Sequence, residues 1–173
     1  YNPEVIDITH GLARSSSSLG SLQADLGRVN DAERNFTRAN ELYESLVKGN
    51  PEDTEYADGL ALTFTNLGSL HGNEGRIEDA DRNFTRAGEL YESLLKRTPD
   101  AIDVAIRLAR IYSNLGRSQS DRGRIEGAER DYHRAIELYE SLVGRNPEAV
   151  DPANGLADTL INFGAMQGNN GRI

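Results

Sequence analysis

The sequence predicts an all-α chain of stacked antiparallel helix pairs, an α-solenoid, and three observations carry that reading: a 48-residue internal repeat, two runs of helical apolar spacing in each period, and a glycine or proline break after each run. Prolines recur 48 apart at Pro3, Pro51, Pro99 and Pro147. In the same step Gly-Arg returns at Gly27-Arg28, Gly75-Arg76, Gly123-Arg124 and Gly171-Arg172. The stretch Asp31-Ala-Glu-Arg-Asn-Phe-Thr-Arg-Ala39 reappears as Asp79-Ala-Asp-Arg-Asn-Phe-Thr-Arg-Ala87, and more loosely from Gly127 to Ala135. A fixed period of roughly 20 to 50 residues marks supersecondary units that bury their faces only by stacking.

The first element of a period is a helix in which Tyr56, Leu60, Phe64, Leu67 and Leu70 step by three or four and so share one face. Gly75 ends it, because glycine takes the left-handed conformation without a Cβ clash. A second helix follows with Ala80, Phe84, Ala87, Tyr91 and Leu94 on its apolar stripe. Proline disfavours helix at the residue before it, so Asn50-Pro51 makes the other break, and Asp53 or Thr54 offers the next N-cap. The expected repeats are 1–48, 49–96, 97–144 and a partial 145–173 holding a first helix alone, giving about seven long helices in one array. Gly20, Gly68, Gly116 and Gly164 fall inside the first helices, at a cost of about 1 kcal/mol each relative to Ala. Their recurrence predicts a close approach of the partner helix backbone, with Ala32, Ala80 or Ala128 as the facing small residue. Ser16 stands where Phe64, Tyr112 and Leu160 stand in the other units, so the first repeat is expected to pack more weakly.

Composition excludes several classes. At 37% hydrophobic and 27% charged, the 173 residues fit a folded chain and not a disordered one. No apolar run approaches the roughly 18 residues a membrane span needs. A net charge of -9 repels a polyanion, so nucleic acid is not an expected partner. Tyr1 to Thr9 shows neither a basic leader nor an apolar stretch, and there is no starting Met. With no cysteine, the sequence fits a reducing and an oxidising compartment equally, so cytoplasmic and exported locations both stay open.

The order and spacing of Leu67-Gly68, Gly75, Ala80, Phe84 and Ala87, repeated in the other units, resemble the tetratricopeptide repeat along the whole chain. That resemblance implies a right-handed superhelical α-solenoid that binds proteins or peptides. The family's usual repeat is about 34 residues, so each unit here carries about 14 more. Apparent additions of about seven residues to each helix leave the apolar stripe with only about 20° of drift. Kinesin light chains and many bacterial members similarly have longer units and an Asn-Leu pair in the first helix, seen here as Asn66-Leu67 and Asn114-Leu115.

By the same resemblance, the first helices line a concave groove, and Thr65 and Asn66, Ser113 and Asn114, and Ile161 and Asn162 point into it. An amide side chain offers both a donor and an acceptor, which suits the main chain of an extended peptide. Arg110 and Arg117, seven apart, share one helix face, with Arg107 one turn earlier. Such a stripe would favour an acidic peptide, since guanidinium binds carboxylate bidentately. Family members that bind chaperone tails use a Lys and Asn clamp at the positions of Ser17, Ser21, Thr65, Ser69, Ser113 and Arg117. Only Arg117 would serve, so that ligand is disfavoured.

Chemistry of other kinds finds little footing. His10, His71 and His133 occupy unrelated repeat positions, and no zinc-protease, phosphate-loop or nucleophile motif is present. Gly164 to Gly171 is glycine-rich but follows no strand, which a dinucleotide site requires. Neither catalysis nor a cofactor is expected. Asn35-Phe-Thr37 and Asn83-Phe-Thr85 are glycosylation sequons whose asparagines fall at the flank of the buried stripe, where a glycan is hard to house. A structural role is the rival to peptide binding. The sequence stops at Gly171-Arg172-Ile173, where a second helix would start, and an uncapped end invites either further protein or head-to-tail stacking of copies into a filament.

Overall fold

The computed structural model describes residues 3–169 and 171, and every regular element among them is helical. The order is α1 (Pro3–Asp25), α2 (Val29–Gly49), α3 (Thr54–Asn73), α4 (Ile77–Arg97), α5 (Ile102–Asp121), α6 (Ile125–Arg145) and α7 (Val150–Asn169). Their lengths run from 20 to 23 residues, so the expected all-α fold of long helices is observed. Arg172 and Ile173, on which the expectation of a bare end falls, lie outside the described residues.

Local chemistry explains where the helices stop. Gly75 has φ +72°, and beyond α3 the N–H of Arg76 donates to His71 O at 2.8 Å while that of Gly75 donates to Gly72 O at 3.1 Å. This double closure satisfies carbonyls that the helix end leaves open. The same turn recurs at Gly27 and Gly123. Asp53 caps α3 by accepting the N–H groups of Glu55 at 2.9 Å and Tyr56 at 3.4 Å. Ala101, one repeat on from Asp53, gives α5 no side-chain cap.

The chain divides into two compact units, Tyr1–Leu90 and Tyr91–Ile173, and the division falls inside α4. In the first unit α1 and α2 are antiparallel, because the contacts of Gln23 with Asn35 and Gly20 with Phe36 run in opposite directions along the two helices. The contacts of His71 with Asn83 and Gly68 with Phe84 make α3 and α4 antiparallel in the same way. Phe36 and Ala32 also pack on Leu67 and Leu70 of α3, so α2 is held between α1 and α3. Fully burying a ring such as Phe36, 2% exposed, contributes roughly 2 to 3 kcal/mol.

In the second unit Tyr139 and Leu142 of α6 pack on Ala105 and Ala109 of α5, and Tyr132 packs on Met166 of α7. The glycines inside the first helices have a different cause from the expected one. A Cβ at Gly20 would meet the ring of Phe36 at 2.8 Å, one at Gly68 the ring of Phe84 at 2.7 Å, and one at Gly116 the ring of Tyr132 at 2.9 Å. An aromatic face therefore occupies the notch, and neither partner backbone nor Ala32, Ala80 or Ala128 does. Ala80 instead lies 3.8 Å from the Cβ position of Gly72, an ordinary contact. Ser16 is buried, at 9% exposure, with Gly20 one turn on.

Candidate functional site

A cleft of about 720 Å³ opens between α5 and α7 in the second unit. Its two walls come from successive first helices: Arg110, Ser113, Asn114 and Arg117 from α5, and Asp151, Asn154, Asp158 and Asn162 from α7. Tyr139 and Gly155 close the floor. A Cβ at Gly155 would stand 2.4 Å from the Tyr139 ring, so only glycine leaves room for the tyrosine at this place. Thr159, 1% exposed, has its hydroxyl 2.7 Å from Gly155 O and 3.2 Å from Ser113 Oγ, and the second contact ties the two walls together.

Five of the seven residues expected to bind ligand, Arg110, Ser113, Asn114, Arg117 and Asn162, come together in this cleft, with Ile161 beside them. The amides of Asn114 and Asn162 make no hydrogen bond among the described residues. Each is half-buried, so they reach the cleft from fixed helical positions. Thr65 and Asn66 are half-buried on α3 in the first unit, and the hydroxyl of Thr65 donates to Ala61 O at 2.8 Å within its own helix.

The charge pattern departs from the basic stripe. Arg107 is half-buried and does not line the cleft, whereas Arg110 and Arg117 are exposed in it. Opposite them stand Asp151 and Asp158, seven apart on α7 as the arginines are on α5. None of these four charges forms a hydrogen bond or ion pair among the described residues. Burial pushes Tyr139 up to about 12, with Arg110 pulling its hydroxyl down and Asp158 pushing it further up, so both charges act on the cleft floor. The cleft is balanced in sign, and a purely acidic ligand would face two carboxylates.

The first unit holds a polar junction that the sequence reading did not find. Glu33 of α2 receives two bonds of 2.9 Å from Arg76 Nη1 and faces His71 Nε2 at 3.1 Å. The other imidazole nitrogen, Nδ1, accepts from Asn83 Nδ2 at 3.1 Å, which places the proton of the neutral ring on Nε2, toward Glu33. Arg76 also reaches Asp79 at 2.9 Å. Pairs at the same repeat positions as His71 and Asn83 recur as Gln23 with Asn35 at 2.7 Å and as Gln119 with Asp131.

Asn35 and Asn83, the sequon asparagines, thus use their amide nitrogens in these pairs and in bonds to the carbonyls of Asp31 and Asp79. A second cleft, of about 740 Å³, lies above Phe64 and Leu67 in the same unit. There Arg86 sits 5.4 Å over the Phe64 ring and 3.5 Å from Glu44. Tyr112, Glu92 and Arg134 repeat that trio in the second unit, where the tyrosine hydroxyl donates to Glu92 and Arg134 stands 5.2 Å over the ring.

Among the described residues no group of three His, Asp or Glu side chains is placed to hold a metal ion, and no helix is long and apolar enough to cross a membrane. The tetratricopeptide repeat family profile matches residues 108–149, which run from α5 through α6. In that segment the chain is similar to tetratricopeptide-repeat proteins. Its fold is similar to the crystal structure of BtubC (BKLC) from P. vanneervenii, with a TM-score of 0.64 and 25% identity over 93% of this chain and 57% of that one. A weaker likeness, with a TM-score of 0.45 and 22% identity, covers 92% of this chain and 66% of TTC0263, a thermophilic TPR protein in Thermus thermophilus. The chain therefore spans little more than half the length of BtubC. No curated protein matches its sequence.

Proposed function

We propose that the chain is a protein-interaction module that holds an extended peptide segment in the cleft between α5 and α7. One observation carries this reading: Asn114 and Asn162, 48 residues apart, line a single cleft and, among the described residues, their amides are unbonded and the four charges around them unpaired. An extended peptide has a main-chain donor and acceptor at every residue, and each asparagine amide can answer both. A volume of about 720 Å³ lies within the usual range for pockets, roughly 300 to 1,000 Å³, and holds a few residues.

Arg110 and Arg117 on one wall and Asp151 and Asp158 on the other would set the direction of the peptide and select one bearing an acidic side chain on the α5 side and a basic one on the α7 side. The acidic ligand suggested by the arginines alone gives way to this ampholytic one. Peptides selected by the chain from a random-sequence library should share that charge pattern. Replacing both asparagines, Asn114→Ala with Asn162→Ala, should weaken the best of them by about tenfold or more while leaving helicity unchanged. Undiminished affinity in the double variant would remove the cleft from the account.

A further inference from the structure

The outer face of α1 is apolar and uncovered. Val5, Ile8, Leu12, Leu19, Leu22 and Leu26 are 54, 63, 46, 45, 56 and 64% exposed, and their spacing of three, four or seven puts them on one stripe. The equivalent residues one repeat on are buried: Leu60 is 5% exposed where Leu12 is 46%, and Leu67 and Leu70 are 5% and 6% where Leu19 and Leu22 are about half-exposed. The protein itself shows, twice, what covers such a face.

In the first unit, Tyr43 of α2 lies against Gly59 of α3, whose Cβ position is 2.4 Å from the ring, and Phe36, seven residues earlier on α2, packs on Leu67 and Leu70. The second unit repeats the arrangement with Tyr139 of α6 against Gly155 of α7, also 2.4 Å, and with Tyr132 on Phe163 and Met166. Each covering helix is antiparallel to its receiver and presents two aromatic rings two turns apart. The later ring is a tyrosine that enters a glycine notch. Subtracting one repeat from Gly59, Leu67 and Leu70 gives Gly11, Leu19 and Leu22 on α1. Gly11 has no atom within 4 Å of its Cβ position, so α1 carries the same notch and the same apolar seat without the rings.

We infer that α1 is a docking face for a helix of this same repeat type, one that carries the Glu-Leu-Tyr-Glu-Ser-Leu signature of α2 and α6 with a second aromatic seven residues before the tyrosine. A second copy of the chain offers no such helix, because Tyr43, Tyr91 and Tyr139 are 4, 0 and 1% exposed in their own contacts. The occupant is therefore a helix from outside these repeats, antiparallel to α1, with its tyrosine in the Gly11 notch and its first aromatic ring on Leu19 and Leu22. This inference concerns α1 and stands apart from the cleft between α5 and α7.

The test is a fluorescence-anisotropy titration of the full chain with a labelled, end-capped peptide of the sequence Val29 to Asn50. Isolated helices of this length are marginal in water. A version held helical by a lactam bridge between the exposed positions 34 and 38 keeps weak binding from being mistaken for a lack of helicity. Saturable binding is expected, with hydrogen-exchange protection appearing in α1. Both Gly11→Leu in the chain and Tyr43→Ala in the peptide should weaken it by about tenfold or more. Gly11 is exposed, and leucine has the better helix propensity, so that variant folds at least as well. Three results would overturn the inference: no saturable binding by the bridged peptide, equal affinity for the Gly11→Leu chain, or protection of α3 in place of α1 through displacement of the chain's own α2. Light scattering that shows the chain alone to be a dimer dissociated by Gly11→Leu would also overturn it, by making a second copy the occupant.

Discussion

A methyl group at Gly68 would stand 2.7 Å from Cδ1 of Phe84, inside the ring's van der Waals surface. The phenyl ring of α4 lies on bare backbone of α3, and the cost of a glycine inside a helix, about 1 kcal/mol, is offset by burial of the ring. Gly68→Ala should therefore destabilise the chain by about 1 to 3 kcal/mol through overpacking. The same change at Gly164, where nothing lies within 4 Å, should stabilise it by about 0.5 to 1 kcal/mol. Urea unfolding of the two variants reads both effects, and two changes of the same sign would contradict the aromatic-notch account.

Glu33 joins α2 to the end of α3 and the following turn. Burial pushes its carboxyl up, yet the bonds from Arg76 and His71 prevail and hold it below the ordinary carboxylate value of 4.5. Because its folded pKa is depressed, its contribution is present above about pH 4.5 and is lost as pH falls through the folded value. Glu33→Gln removes one of the two carboxylates that hold Arg76, leaving Asp79, and alters the partner of buried His71, so a loss of about 1 to 3 kcal/mol is expected near neutral pH. The variant's thermal midpoint should also fall less than the parent's between pH 5 and pH 3. Parallel acid profiles would show that Glu33 does not carry the acid sensitivity assigned to it.

Alkaline pH should loosen the second unit. Burial, with Glu92 adding to it at Tyr112, pushes Tyr112, Tyr132 and Tyr139 up to about 12 from an ordinary value of 10.0. The raised folded pKa means that each tyrosine's contribution is complete below pH 10 and is lost as pH climbs toward 12, when the unfolded chain ionises first. Tyr139→Phe should flatten this limb in an ellipticity titration from pH 9 to pH 12. Tyr112→Phe should do the same and in addition cost about 1 kcal/mol at neutral pH through the lost bond to Glu92. A limb of unchanged steepness in both variants would refute the assignment.

The helices and their turns were legible in the sequence because their causes are local. Apolar spacing marks Leu60, Phe64 and Leu67 as one face, and Gly75 and Asn50-Pro51 stop the helices wherever they stand. What faced Gly68 was not local. Two small residues in register, Gly68 and Ala80, suggested close backbones, whereas the ring of Phe84, one turn on, fills the space. The repeat did hold a signal for the second notch: Gly11, Gly59 and Gly155 share one position of the 48-residue step, held by Arg107 in the third unit, and each of the latter two lies 16 residues after a tyrosine. The cleft was half legible. Arg110 and Arg117 were read as one helix's stripe, but a cleft has two walls, and Asp158, in the same repeat position as Arg110, supplies the opposite charge from the next first helix. The bond between Glu33 and Arg76 spans 43 residues and joins different repeat positions, so sliding the chain against itself does not reveal it.

The most direct test of the central claim is a side-chain amide titration by nuclear magnetic resonance, in which the isotope-labelled chain receives a peptide selected by it from a random library. The account predicts saturable shifts of the Asn114 and Asn162 Nδ2 resonances with a single dissociation constant. The backbone amides of Thr159 and Tyr139, which floor the cleft, should follow the same curve. Shifts confined to α1, α2 and α3 while both asparagine resonances stay in place would contradict it.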